Sequence, residues 1–410
     1  MISRRKFLLA TAKAGSLIGI PLALSPSALK SCLCMAGEVA AFDRLEDLIL
    51  NAPKARYWIS AAAPNVDCLA CHKSNKELLV KRHEKQEAIV KCLLCPQGCI
   101  LEKGERGKCR ARINVNGELL SLVYGRPIAI QVDPIEKKPL YHFLPGSEAF
   151  SLATSGCPLH CKFCQNWEIS QSRPEDFKTA FTPPGKIVDS ASARQSPVIA
   201  FTYNEPTVFM EYLTDIAGIA RKRKLRCVMI SCGFMNSDPL KEMCQTLDAI
   251  KIDLKGYDAD FYRNVCSAEL RPVLNSIKQV AKSGVHLEIV NLVVPTLNDS
   301  EKLLRALVEW VVGEVGPDVP IHFTRFHPNY QLLNLPPTPV ATLERARDLA
   351  MSEGIHYAYV GNVPEHQGNH TYCPQCGKVV IRRNYFFVVE QNIKGGHCTF
   401  CGKAIAGVWS

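Results

Sequence analysis

From Phe150 onward, short runs of β-branched and apolar residues alternate with stretches of helical periodicity. Residues 198–202, 227–231, 249–254, 287–294, 321–324 and 357–360 read as strands, with room for helices between them. That alternation predicts an α/β fold with a parallel sheet and crossover helices, as an open doubly wound sheet or a full or partial (β/α) barrel. Residues that carry chemistry then belong at the carboxyl ends of the strands. Upstream, Leu45, Leu48 and Ile49 mark an amphipathic helix, and an Ala/Pro stretch after it reads as a linker. Four segments follow: 1–36 as a leader, 37–148 as a cysteine-rich region, 149–368 as the core, and 369–410 as a separate small module with hairpin-like strands.

The chain has 410 residues, 47% hydrophobic and 21% charged, which supports a sizeable core and excludes a disordered chain or a multi-span membrane protein. Its net charge of +10 reads as solvated surface. Arg221, Lys222, Arg223 and Lys224, for example, form the polar end of a helix, and no nucleic-acid partner is expected.

The nineteen cysteines change the picture, because most are grouped two or three residues apart. Disulfide frameworks rarely look like this; thiolates so spaced can turn toward one ion or cluster. Cys227, Cys244 and Cys266 stand apart and read as small buried hydrophobes. The central group is Cys157-Pro158-Leu159-His160-Cys161-Lys162-Phe163-Cys164, just after the first core strand. Three thiolates leave one iron of a [4Fe-4S] cluster without a protein ligand, and that open site can chelate the amino and carboxylate groups of S-adenosylmethionine (SAM). One electron delivered there cleaves the sulfonium to methionine and a 5'-deoxyadenosyl radical. A zinc knuckle or a plain electron-transfer cluster would call for a fourth ligand nearby.

Several strings add to this loop: Cys92-Leu93-Leu94-Cys95-Pro96, the stretch from Asp133-Pro134-Ile135-Glu136-Lys137-Lys138 to Phe143, Cys164-Gln165-Asn166-Trp167, Tyr203-Asn204-Glu205-Pro206-Thr207, Asp253-Leu254-Lys255 and Arg325-Phe326-His327-Pro328. With them the chain, from about Lys91 to its end, resembles the radical SAM superfamily. Within that superfamily it resembles the AmmeMemoRadiSam system enzymes, which are similar to pyruvate formate-lyase activating enzymes. The resemblance implies a partial (β/α) barrel of radical SAM type, flanked by an N-terminal Cys-rich segment and a C-terminal zinc-ribbon-like module. It implies that Cys157, Cys161 and Cys164 hold the [4Fe-4S] cluster. Glu205 matches the acidic residue of a Gly-Gly-Glu-Pro motif that meets the SAM amino group, with Tyr203 and Asn204 in place of the glycines. Asp253 and Lys255 match a pair near the SAM carboxylate, and His327 matches a ribose contact. Memo-like and AMMECR1-like proteins are partners by family analogy, and a low-potential electron donor is required.

Two further sets carry four cysteines each. Cys92, Cys95, Cys99 and Cys109 make a closed site suited to structural zinc or to an auxiliary Fe-S cluster. Cys373, Cys376, Cys398 and Cys401 form two knuckles, each followed by a glycine, for which zinc is favoured and rubredoxin-like iron is the alternative. Cys68-Leu69-Ala70-Cys71-His72 has the attachment pattern of c-type haem, and Cys68, Cys71 and His72 equally suit zinc.

At the amino terminus, Ser3-Arg4-Arg5-Lys6-Phe7-Leu8-Leu9 precedes an apolar run too short to span a bilayer, the layout of a twin-arginine export signal. That pathway moves folded proteins and suits a chain whose clusters are inserted first. Export to the periplasm or cell envelope is expected; retention in the cytoplasm is the alternative, because SAM is cytoplasmic. The rival function is a multi-centre electron-transfer protein, which has no need of Glu205, Asp253, Lys255 or His327.

Overall fold

The computed structural model describes residues 44–60 and 88–410. The leader at 1–36, together with Cys68, Cys71 and His72, lies outside the described residues. Eight strands form the central sheet: β1 (Ala129–Pro134), β2 (Glu148–Ala153), β3 (Val198–Phe201), β4 (Arg226–Ser231), β5 (Ala249–Asp253), β6 (His286–Val293), β7 (Ile321–Arg325) and β8 (Ala358–Gly361). Their spatial order is their chain order. β1 and β2 run antiparallel, and every later neighbour is parallel.

Six helices cross between the parallel strands: α1 (Pro184–Ala193), α2 (Met210–Lys222), α3 (Ser237–Thr246), α4 (Leu270–Ser283), α5 (Glu301–Glu314) and α6 (Val340–Ser352). Strictly sequential strands joined by crossovers of one hand place all helices on one face, so the sheet curls around its other face. β1 and β8 remain its two edges. The result is a partial (β/α) barrel.

Local chemistry sets the helix ends. Ser300 caps α5 by accepting from Leu303 N, and Gly284, at φ +81°, ends α4 in the left-handed conformation that glycine adopts without strain. α2 buries Tyr212, Leu213, Ile216, Ala217 and Ala220 on one stripe. Its exposed end at Arg221 and Lys222 places cations on the last carbonyls of the helix.

Residues two apart on a strand share a face. Phe150, Leu152, Ile199, Phe201, Met229, Ile250 and Ile252 belong to the large core that includes the helices. The opposite face starts apolar, with Ala149, Val198, Ala200, Val228 and Ala249 packed against Ile135, Leu140 and Phe143. Further along the same face it turns polar: Lys251 and Asp253 follow Ala249 on β5, and Glu288 and His322 stand on β6 and β7. The barrel interior is therefore plugged at the amino ends of its strands and polar toward the carboxyl ends.

The segment 371–410 supplies part of that plug through a three-stranded antiparallel sheet and a hairpin. Arg383, 2% exposed, donates to the Tyr141 carbonyl at 2.8 Å, and its guanidinium lies 4.0 Å from the Tyr141 ring centroid. Val408 and the 142–144 segment exchange backbone hydrogen bonds.

Candidate active site

The loop after β2 is held from several sides. His160 N donates to Cys266 O, Lys162 N to Val265 O, and Gln331 N to Lys162 O. Gly156, at φ +93°, turns the chain into the loop. Cys161 is buried and Cys157 and Cys164 are half-buried. Burial, the Glu205 carboxylate and the neighbouring Cys161 all push the Cys157 thiol well above its usual range. Cys161 moves the other way, because Cys266 hydrogen-bonds to it and the Lys255 ammonium lies near. Cys266 is buried, as its isolated position suggested, but its thiol meets the central cysteine of the loop.

After β3 the chain passes through Tyr203 at φ +69°, a left-handed conformation that a glycine would occupy freely. The Tyr203 phenol donates to Asp133, whose carboxylate also accepts from Lys137 and Lys138 at 2.6 Å each. Burial alone would raise the Asp133 carboxyl; these three donors hold it far below the usual range. Burial likewise pushes Lys138 down to about 8 despite its bond to Asp133. Asn204 Nδ2 donates to Gly156 O at 2.9 Å, tying this loop to the cysteine loop.

Glu205, 2% exposed, caps the short helical turn Pro206–Phe209. It accepts from Thr207 N at 3.1 Å, Thr207 Oγ1 at 2.6 Å, Ser231 Oγ at 2.8 Å and Cys232 N at 2.8 Å. Three of these donors meet Oε1 and only Cys232 N meets Oε2, which keeps a lone pair to accept with.

On β5, Asp253 is clamped between two lysines: Lys251 bonds one carboxylate oxygen, and Lys255 Nζ the other at 2.9 Å. Burial would raise the Asp253 carboxyl, but the two ammonium groups hold it at about 2. Lys255 also reaches toward the cysteine loop, 6.0 Å from the Phe163 ring centroid. His327 is exposed on the segment after β7, near Tyr330, whose ring stacks on Trp167 at 5.1 Å.

Cys157, Cys161, Cys164, Glu205, Asp253 and Lys255 thus gather at the carboxyl edge of adjacent strands, and His327 follows the end of β7. Lys251 and Ser231 join them without having been picked out individually in the sequence; Asp133, opposite Ala149 at the amino end of β2, and its partner Lys138 are linked to this edge only through the Tyr203 phenol. For Lys251 there was a usable signal, a lysine inside an apolar strand run, since a buried cation requires a carboxylate partner.

The terminal cysteines are more compact. Cys373 and Cys401 sulfurs lie 3.5 Å apart and Cys376 and Cys398 sulfurs 3.9 Å apart. All four lie within 4.8 Å of one another. A tetrahedral ion with thiolate bonds of about 2.3 Å has sulfur–sulfur edges of about 3.8 Å, so this site fits one ion.

An open, sequentially wound parallel sheet, with a three-cysteine loop leaving its first parallel strand and charged groups around it, is the architecture of a radical-generating SAM enzyme. Residues 151–307 match the radical SAM superfamily. The chain is 44% identical over 318 residues to an uncharacterised protein of Methanocaldococcus jannaschii, across 77% of this chain and 95% of that protein. It is 23% identical over 190 residues to the pyruvate formate-lyase-activating enzyme of Clostridium pasteurianum, across 44% of this chain and 77% of that one. A solved domain of a pyruvate-formate lyase-activating enzyme from Bacteroides vulgatus aligns with TM-score 0.36 and 17% identity, over 40% of this chain and 98% of that one. The chain belongs to the radical SAM superfamily.

That family implies a [4Fe-4S] cluster and SAM, and the residues fit both. Three thiols from one loop are close enough for Cys161 and Cys164 to raise Cys157, and the Lys255 ammonium lies beside them to offset thiolate charge.

Proposed function

We propose that this chain reductively cleaves SAM and directs the 5'-deoxyadenosyl radical to a hydrogen donor in the manner of an activating enzyme. Its support is the convergence of the three-thiol loop with the ionised Asp253 clamp and Glu205 at one sheet edge. When bound, the cluster supplies the single electron and chelates SAM through its open iron. The chain's own groups do the rest. Lys255 and Lys251 keep Asp253 ionised, so Asp253 and Lys255 offer one charge of each sign to the zwitterionic end of SAM. Glu205 receives the SAM ammonium on Oε2, which accepts only from Cys232 N. His327 meets the ribose.

An electron carrier would have no use for this set of buried charges beside the loop. Anaerobic reconstitution with a low-potential reductant, followed by mass spectrometry, tests the reading. 5'-Deoxyadenosine should form, and Cys157→Ala, Cys161→Ala and Cys164→Ala should each abolish it; undiminished cleavage in all three overturns the proposal.

The reading extends to the AmmeMemoRadiSam branch, with a Memo-like or AMMECR1-like protein as partner and a protein or peptide as hydrogen donor. Adding such partners to the cleavage assay should raise the yield of 5'-deoxyadenosine. Zinc is proposed for the terminal four cysteines. Export by the twin-arginine route is proposed from Arg4 and Arg5: changing both to Lys should keep the protein in the cytoplasm of its host, and an unprocessed cytoplasmic native protein refutes it. A pyridine haemochrome spectrum of the same material decides between haem and zinc at Cys68, Cys71 and His72.

A further inference from the structure

We propose that Cys92, Cys95, Cys99 and Cys109 hold a second [4Fe-4S] cluster, which relays single electrons to the cluster on Cys157, Cys161 and Cys164. The relay, though not the second cluster itself, rests on the radical SAM reading above.

The four cysteines come from a tight antiparallel segment. Val90–Cys92 pairs with Ile100–Leu101, and Cys92 N donates to Cys99 O at 2.9 Å. Gly107 sits beside two of the ligands: a β-carbon there would lie 3.5 Å from the Cys109 sulfur and 3.8 Å from the Cys99 sulfur. All four side chains line one cavity, together with Leu94, Gln97, Arg112, Pro158, Thr207 and Val208.

Scale separates this site from the terminal one. Among the described residues, only the terminal set has three or more ligand atoms all within 4.8 Å of one another. The N-terminal thiols do not form such a compact group and line a cavity instead. A cubane spreads its thiolates further than one ion does, because each binds a different corner iron.

The cavity also contains groups that want a sulfur-rich, anionic occupant. Arg112 is 1% exposed and lines the cavity with Cys92 and Cys109. One of its terminal nitrogens pairs with Glu211, yet its Nε is buried without a hydrogen-bond partner. An unpaired buried N–H of a cation is costly, and a thiolate or sulfide accepts it. Lys108 N already points at the Cys99 sulfur at 3.4 Å.

The position indicates what the second cluster does. Pro158, bonded to Cys157, lines the same cavity, and so does Thr207, which holds Glu205. Gln97 Nε2 donates to Pro158 O at 3.0 Å. The loop that carries Cys157 therefore forms part of the wall of the four-cysteine cavity. Four thiolates leave no iron open to SAM or substrate, so electron transfer is the chemistry left to this site. A low-potential one-electron protein carrier reduces the second cluster from the 2+ to the 1+ core, and the carrier is oxidised by one electron. The second cluster returns to 2+ by reducing the first, and that same electron is consumed in breaking the sulfonium C–S bond.

Two measurements test this. In the Cys157→Ala/Cys161→Ala/Cys164→Ala chain, anaerobic reconstitution should leave about four iron and about four sulfide, with a reduced-cluster EPR signal. Zinc in their place, or no sulfide, overturns the second cluster whether or not the unaltered chain cleaves SAM. The sulfide count also excludes mononuclear iron on the terminal cysteines. In the Cys95→Ala/Cys99→Ala chain, SAM cleavage driven by a flavodoxin that serves the unaltered protein should be lost, while cleavage driven by dithionite persists. Equal loss with both reductants, or loss with neither, overturns the relay.

Discussion

The carbonyl oxygen of Cys109 lies against the α-carbon of Gly156, so close that a β-carbon on Gly156 would sit 2.3 Å from it. Gly156 also holds φ +93°, where an L side chain is strained. This contact ties the segment of the four-cysteine cavity to the residue bonded to Cys157. Gly156→Ala should force the two loops apart, with a destabilisation of about 1–3 kcal/mol or more. Iron content and SAM cleavage after reconstitution should both fall; a variant with the iron content of the unaltered chain shows that the contact is dispensable.

Lys251 is 4% exposed and shares Asp253 with Lys255. Lys251→Met keeps the length of the side chain and removes the charge, leaving a buried carboxylate with one cation. Breaking a buried pair costs about 3–5 kcal/mol, reduced here because Lys255 remains. SAM affinity measured by calorimetry should weaken while the iron content is retained. Unchanged affinity shows that Lys255 alone keeps Asp253 ionised.

The parallel strands were legible because each is a short apolar run buried on both faces, and their observed limits differ from the sequence reading by a residue or so. β1 was not. Its residues Gln131 and Asp133 interrupt the pattern and Ile130 is 37% exposed, so the strand exists through its pairing with β2 rather than through periodicity. The three-cysteine loop was legible because ligand spacing is local in the chain. The Asp133–Lys138–Tyr203 group was not, since its members meet only after the sheet closes. Tyr203 stood out solely as a departure from glycine, and the structure shows it keeping the left-handed backbone. Cys266 illustrates the limit of burial as a guide: a buried thiol reads as a small hydrophobe until its partner is known.

Glu205 is held by four donors, two of them backbone N–H groups. In Glu205→Gln one oxygen becomes an NH₂ that faces donors, so at least one buried N–H loses its acceptor at a cost of about 1–3 kcal/mol. SAM binding should weaken roughly tenfold or more, by the loss of one charge-assisted hydrogen bond. Iron content should be unchanged, because Glu205 is no ligand. Isothermal titration that finds intact affinity, in a chain that has lost iron, would assign Glu205 to the support of the cysteine loop instead.

The terminal four cysteines close a small core that contains Tyr141, Tyr357, Tyr359, Val380 and Ile405. Cys398→Ser should lower the metal content of that site from about one ion per chain and loosen residues 371–410 to proteolysis. Elemental analysis of the unaltered module should find zinc; iron without sulfide identifies the rubredoxin-like alternative. Full protease resistance in the metal-free variant shows that Arg383 and the strands hold the module unaided.

His142 ties the barrel plug to that module and gives the fold a dependence on pH. Its Nδ1 lies 2.6 Å from the Ala406 carbonyl, an acceptor only, so Nδ1 carries the proton. Nε2 then accepts from the Tyr359 hydroxyl at 2.5 Å, which in turn lies 2.9 Å from Thr371 Oγ1. Protonating Nε2 would turn the Tyr359 hydroxyl to donate to Thr371 and leave an imidazolium in a site with no exposure to water, and that burial is the cost. Burial pushes His142 down to about 3, although the Glu288 carboxylate pulls upward; His286 and Arg383 act in the same direction as burial. In the unfolded chain this histidine titrates near 6.5. Between those values the unfolded chain binds a proton that the native one does not. Stability therefore falls as pH drops from 6.5 toward 3, by up to about 1.4 kcal/mol per pH unit for this one group. His142→Gln should be less stable at pH 7.5, because it cannot reproduce both bonds, yet lose stability less steeply between pH 6.5 and 5. That window lies above the range in which Glu288, held low by His286 and His322 against the cost of burial, contributes. Anaerobic urea unfolding of both proteins across the window reads the two slopes. Equal slopes would show that His142 takes up its proton in the native fold as readily as in the unfolded chain, so that its burial does not hold it neutral.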